Sequence, residues 1–195
     1  MVKKFTIGII RLFLNDYGRS FYLRELAASL GKPHQTIKPY AEELVNLGIL
    51  TKAERKNLTE YRLNTKDKRI YDYLVIAEKD RLMEKLQEEI YLRTLYEKLS
   101  VFFDKCTFVI FGSAVGKIQK GSDIDLLAIG KHNITKLIKD FEDVYNKKIH
   151  KIQATNLQKL NESFIKEVYK KHLIFNDTEK IVRFFGELHG QNKLV

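Results

Sequence analysis

Apolar residues recur at three- and four-residue steps through most of the first fifty positions, the spacing of one helical face. Phe5, Ile9, Leu12 and Phe13 predict a first helix, which Asn15-Asp16-Tyr17-Gly18 ends. Tyr22, Leu26 and Leu30 mark a second short helix, closed by Gly31. Pro33 suits the start of a third, because its missing N–H costs nothing there. Ile37, Tyr40, Leu44 and Leu47 then share one face, and Gly48 stops the helix. The pattern next shortens. Ile49-Leu50-Thr51 and Thr59-Glu60-Tyr61-Arg62-Leu63 read as two strands, with Glu54-Arg55-Lys56-Asn57 turning between them. Residues 66–104 return to helical spacing through Ile70, Tyr73, Leu74, Ala77, Leu82, Leu86, Ile90 and Leu95. Acids and bases alternate on the opposite face, as in Glu78-Lys79-Asp80-Arg81. This stretch reads as a helical connector packed on both neighbours, or as the seam of a homodimer. Its heptad is too irregular for a coiled coil.

From Thr107 to Phe111 the chain is a short apolar run, the mark of a buried strand. Gly112-Ser113 opens a turn, and a loop with Gly116 and Gly121 leads to a second strand, Asp123 to Ile129, that stops at Gly130. A helix over 134–146, a strand over 148–153, a helix, a short strand Leu173-Ile174-Phe175 and a last helix follow. Asn176-Asp177-Thr178 is the expected cap of that helix. The fold class is α+β.

The chemistry concentrates between the two apolar strands. Asp123 and Asp125 lie two apart on a strand, so both carboxylates point to one face while Ile124 and Leu126 point to the other. Two acids opening an apolar strand are costly unless a cation meets them. Hard carboxylate oxygens suit Mg²⁺, which commonly bridges substrate phosphates. Gly112 lets the backbone approach an anion closely, Ser113 offers a hydroxyl and an N–H, and a helix beginning near Ser113 would aim its positive end at phosphate oxygens.

The string Phe111-Gly112-Ser113…Gly121-Ser122-Asp123-Ile124-Asp125-Leu126 resembles the DNA polymerase beta nucleotidyltransferase superfamily, most of all its small minimal members, over about residues 100–195. The resemblance implies that Gly112, Ser113 and Ser122 bind the nucleotide and that Asp123 and Asp125 hold up to two Mg²⁺ ions. It implies transfer of a nucleoside monophosphate from an NTP, with ATP the expected donor, to a protein or small-molecule acceptor. The family usually carries a third carboxylate on the next strand. Here no Asp or Glu stands between Asp143 and Glu162, and His150 occupies the expected place. His150 is either a general base or an ordinary strand-edge residue. The spacer from Gly112-Ser113 to the acids is one residue short, and Ala114-Val115 replaces more polar residues. These departures favour metal and nucleotide binding over turnover. Minimal members often accompany small helical toxin proteins, so such a partner is a further expectation.

Residues 3–64 resemble a winged helix-turn-helix domain, on Gly31-Lys-Pro-His-Gln-Thr-Ile-Lys, Leu44-Val-Asn-Leu-Gly-Ile-Leu and the hairpin. The resemblance implies binding to duplex DNA. Lys32, His34, Gln35, Thr36 and Lys38 would reach the major groove, and Lys52, Arg55, Lys56 and Arg62 the phosphates. The same fold also serves protein contacts. The expected domains are therefore a winged helix-turn-helix over 1–64, a helical connector over 65–104 and a small mixed-sheet α/β nucleotidyltransferase domain over 105–195.

Charge supports two anionic partners, or one long one. The net charge is +10, and residues 1–64 hold eleven Lys/Arg against six Asp/Glu. Residues 65–100 are balanced at eight of each, and 101–195 hold sixteen against eleven. No apolar run suggests a membrane span, and the opening Met1-Val2-Lys3-Lys4-Phe5, without an apolar h-region or small-residue cleavage site, is not expected to act as a secretory signal. The single Cys106 excludes an internal disulfide and reads as inert packing. A reducing, cytoplasmic setting is the expectation. His172 and His189 show no ligand spacing and read as structural or exposed.

Overall fold

The computed structural model describes residues 4–55, 58–116 and 121–194, and of Arg55 the backbone. The chain forms two compact units. One is Met1–Asp80 with Val182–Val195, and the other is Arg81–Ile181. The architecture is α+β with small sheets. No helix among the described residues is long and apolar enough to cross a membrane.

The first unit contains α1 (Lys4–Arg11), β1 (Ser20–Tyr22), α2 (Leu23–Ser29), α3 (His34–Asn46), β2 (Leu50–Arg55) and β3 (Leu58–Leu63). Its sheet is antiparallel in the order β1-β3-β2. β1 is an element the periodicity missed, and Tyr22 belongs to it rather than to the second helix. Three residues carry too little alternation to announce a strand, and pairing of Phe21 with Tyr61 creates it. The Tyr22 N–H then donates to Glu25 Oε2 at 2.7 Å, which starts α2. Glu54 and Arg55, expected in a turn, are the end of β2. Lys56 and Asn57 lie outside the described residues.

α3 begins where expected. Pro33 is extended at φ −58°, ψ 145°, and its carbonyl accepts from the Thr36 and Ile37 amides. Ile37, Ala41 and Leu44 are buried beneath it. The helix runs through Pro39, whose ring leaves the Gln35 carbonyl without its helical donor. Gly48, at φ +75°, ends the helix: its N–H donates to Val45 and that of Ile49 to Leu44.

The expected connector is two helices, α4 (Ile70–Glu88) and α5 (Ile90–Ser100). The division between units falls inside α4. Ile70, Leu74 and Ala77 are buried in the first unit, whereas Leu82 and Leu86 join the core of the second. The last helix, α8 (Thr178–Gly190), is divided in the same way. The reason is visible at Gly186: a Cβ there would stand 2.2 Å from Tyr71 Cε1, so only glycine admits that ring.

The second unit is built on β4 (Thr107–Phe111), β5 (Ile124–Ile129), β6 (Ile149–Ala154) and β7 (His172–Ile174), in the order β6-β5-β4-β7. β5 and β6 are parallel and the other pairs antiparallel, so the sheet is mixed. α6 (Thr135–Tyr145) joins β5 to β6, and α7 (Glu162–Lys170) precedes β7. One face of the sheet presents Phe108, Ile110, Ile124, Leu126 and Leu173 to a core with Leu95 and Leu99 of α5 and Phe141 of α6. On the opposite face Phe111 meets Phe164 of α7, ring edge to ring face at 5.3 Å. Asn176, expected in a helix cap, instead pins β4. Its side chain accepts from the Phe108 amide at 2.8 Å and donates to the Cys106 and Phe103 carbonyls. Asp177 accepts from the Thr107 hydroxyl. Cys106 is a buried free thiol.

Candidate functional site

β4 and β5 bring the two halves of the Gly-Ser and Asp-x-Asp pattern together. Phe111 pairs with Asp125, so the turn after β4 starts beside the acid near the start of β5. Gly112 has φ +69°, and a Cβ on it would stand 2.7 Å from Asp125 Oδ2. The glycine is thus required twice, for its left-handed backbone and for the carboxylate resting against it. Residue pairing extends the row. Asp125 faces His150 on β6, and Phe111 faces His172 on β7, so these four share one face of the sheet. Phe111 and His172 are buried, and the His172 Nδ1–H donates to the Tyr169 carbonyl at 2.9 Å. His172 is therefore structural.

At the open end of that row Asp125 is 28% exposed and His150 66%. The His150 Nδ1 lies 3.3 Å from Asp125 Oδ1. β6 is an edge strand, so both readings of His150 survive: it borders the acid, and it sits on an edge. Asp123 is exposed and precedes β5, which begins at Ile124 rather than at Asp123. The burial sequence exposed, buried, partly buried, buried over 123–126 keeps the expected alternation of acids and apolar residues.

The turn differs from its expected form. Gly112–Val115 is a single four-residue 3-10 turn, too short for a helix dipole to matter. The Gly112 N–H is already used: it donates to the Lys171 carbonyl at 3.1 Å. Ala114 and Val115 are buried. Ser113 alone is exposed at the head of the turn. Ser122, expected to touch nucleotide, accepts from the buried Lys147 ammonium at 3.4 Å. Lys147 in turn lies 5.8 Å from the centre of the Tyr91 ring. Lys147 and Lys171 were invisible in the sequence, because nothing in two lysine pairs, 147–148 and 170–171, says which member is buried or which borders the turn.

Asp123 and Asp125 could hold a Mg²⁺ ion. Among the described residues no group of three His, Cys, Asp or Glu side chains is placed to hold a metal. Two carboxylates fit the habit of this ion, which takes few protein ligands and completes its shell with water and substrate phosphate.

In the first unit Lys32, His34, Gln35, Thr36 and Lys38 are all exposed at the start of α3. The hairpin cations are less available. Lys52 donates to Glu42 Oε2 at 2.8 Å, and Arg62 to Glu60 Oε1 at 3.2 Å. Glu42 also accepts from the Tyr61 hydroxyl at 2.9 Å. The Lys52 hydrogen bond holds the Glu42 carboxyl below its usual range, with Tyr61 adding to it, and Lys52 itself is pushed up. Burial, then Glu42, pushes the Tyr61 hydroxyl far above its ordinary value. The Arg55 side chain and Lys56 lie outside the described residues.

No family model, curated protein or solved structure matches the chain.

Proposed function

We propose that the chain is a Mg²⁺-dependent nucleotidyltransferase joined to a DNA-binding winged helix-turn-helix domain, working in the cytoplasm. The observation that carries the reading is the contact of Gly112 with Asp125, which sets the Gly-Ser turn and an acidic pair together at one end of the two central strands of a mixed sheet. Asp123 and Asp125 would hold the ion, which when bound neutralises charge on the phosphates of the donor. The acceptor hydroxyl oxygen bonds to the α-phosphorus of ATP, the bond to the bridging β-phosphate oxygen breaks, and pyrophosphate leaves. With its Nδ1–H held toward Asp125, His150 offers Nε2 to the hydroxyl proton. Ser113 stands at the head of the turn to meet phosphate oxygens.

A second reading rests on the same imidazole. His150 is a poorer Mg²⁺ ligand than a carboxylate, and its Nδ1 lies 3.3 Å from Asp125 Oδ1, where it engages the acid. The domain then binds nucleotide with little turnover, in a transcription regulator or in an antitoxin-like partner of a small helical toxin. AMP transfer to water, to the protein itself and to a helical partner separates the two. His150→Ala lowers the rate if His150 is the base, and His150→Asp raises it if the site is a degenerate one. Calorimetric titration with Mg²⁺ and ATP tests both: unchanged affinity in Asp123→Ala and in Asp125→Asn overturns the site.

DNA binding is supported by the exposed basic start of α3. Affinity for duplex DNA should fall steeply with salt. Removing Arg55 and Lys56 together should flatten the slope of log K against log salt by about two units, at ~0.9 per phosphate contact. No binding at low salt would make this a protein-contact domain.

A further inference from the structure

We infer that Lys171 is a triphosphate-binding residue of this site, an inference that rests on the nucleotide-binding reading above. The turn that would receive the phosphates supplies no charge of its own. Its Gly112 N–H is occupied, and Ala114 and Val115 are buried and apolar. A nucleoside triphosphate brings several negative charges, and an acidic pair alone repels them. The missing cation is Lys171. Its carbonyl takes the Gly112 N–H at 3.1 Å, which ties the residue to the first position of the turn. Its side chain reaches the residue that follows the turn: a Cβ on Gly116 would stand 3.6 Å from Lys171 Nζ and 3.9 Å from Cε. One residue therefore spans the turn, with Asp125 against the glycine that opens it and an ammonium against the glycine that follows it. Lys171 is exposed, and no carboxylate among the described residues pairs with its ammonium. A lysine ammonium meets phosphate as a compact point charge with three donors.

The test is calorimetric titration of the full chain with Mg²⁺–ATP and, separately, with AMP. The proteins are wild type, Lys171→Met, Lys171→Arg, Asp125→Asn and Lys139→Met, the last an exposed lysine on α6. Lys171→Met should weaken Mg²⁺–ATP about tenfold or more, the range for a hydrogen bond to a charged group. Lys171→Arg should recover most of that loss, and Lys139→Met should lose nothing. AMP binding should be the same in Lys171→Met and wild type. If Lys171→Met binds Mg²⁺–ATP like wild type while Asp125→Asn does not, Lys171 is idle and the nucleotide site stands. If AMP and ATP weaken equally, or if Lys171→Arg fails to recover the loss, the lysine acts on the fold and the inference falls. If wild type takes up no Mg²⁺–ATP, both the inference and the reading beneath it fall.

Discussion

Replacing Gly112 with alanine probes the contact on which the site depends. The residue has φ +69°, where an L side chain costs ~1–2 kcal/mol. The new Cβ would also meet Asp125 Oδ2 at 2.7 Å, closer than such atoms come. Overpacking of this kind costs about 1–3 kcal/mol. Asp125 is 28% exposed and can turn aside, so the second cost lies at its lower end. The sum is about 2–3 kcal/mol. Turning the carboxylate aside also breaks its approach to His150, so metal-dependent nucleotide binding should fall with stability. A double-mutant cycle separates the two causes. Hydrogen exchange of β4 and β5 is compared in Gly112→Ala, Asp125→Ala and the double variant. In the Asp125→Ala background the clash is gone, and only the backbone cost of ~1–2 kcal/mol should remain. Equal cost in both backgrounds would mean that Asp125 does not rest on Gly112, and the reasoning would fail.

Three other outcomes follow from named contacts. The first unit should be less stable at both extremes of pH. Glu42 is held below its ordinary 4.5, so its contribution is present above that pH and lost as pH falls beneath it. Tyr61 is raised above its ordinary 10.0, so its contribution is complete below that pH and lost as pH rises past it. Thermal melts of Tyr61→Phe should lose most of the alkaline limb, and an unchanged limb would assign it elsewhere. Gly186→Ala should destabilise the first unit by about 1–2 kcal/mol, since displacing Tyr71 outweighs the ~1 kcal/mol gained in helix propensity. A denaturation midpoint at or above wild type would show that the ring moves freely. Asn176→Ala strips partners from the Phe108 amide and from the Cys106 and Phe103 carbonyls, and should cost about 1–3 kcal/mol, read as faster exchange in β4.

Much of this arrangement is carried by short-range pattern. The strand from Thr107 to Phe111 coincides with the apolar run. Apolar periodicity locates α1, α3 and α6 within a few residues, because a buried helical face repeats regardless of its partner. The alternation of Asp123, Ile124, Asp125 and Leu126 also survives folding, because the strand pleat enforces it. What local pattern could not decide is set by pairing between distant residues. β1 exists because β3 supplies its partner. Asp125 meets Gly112 through antiparallel register and His150 through parallel register, and neither register is written in either strand alone. The unit boundary inside α4 follows from which neighbours bury each turn, and Tyr71 lies on Gly186 more than a hundred residues away. The occupied amide of Gly112, and the lysine that occupies it, arise from β7 pairing with β4. A sequence lists the groups that a site can use, but long-range packing decides which of them are already engaged and which still face solvent.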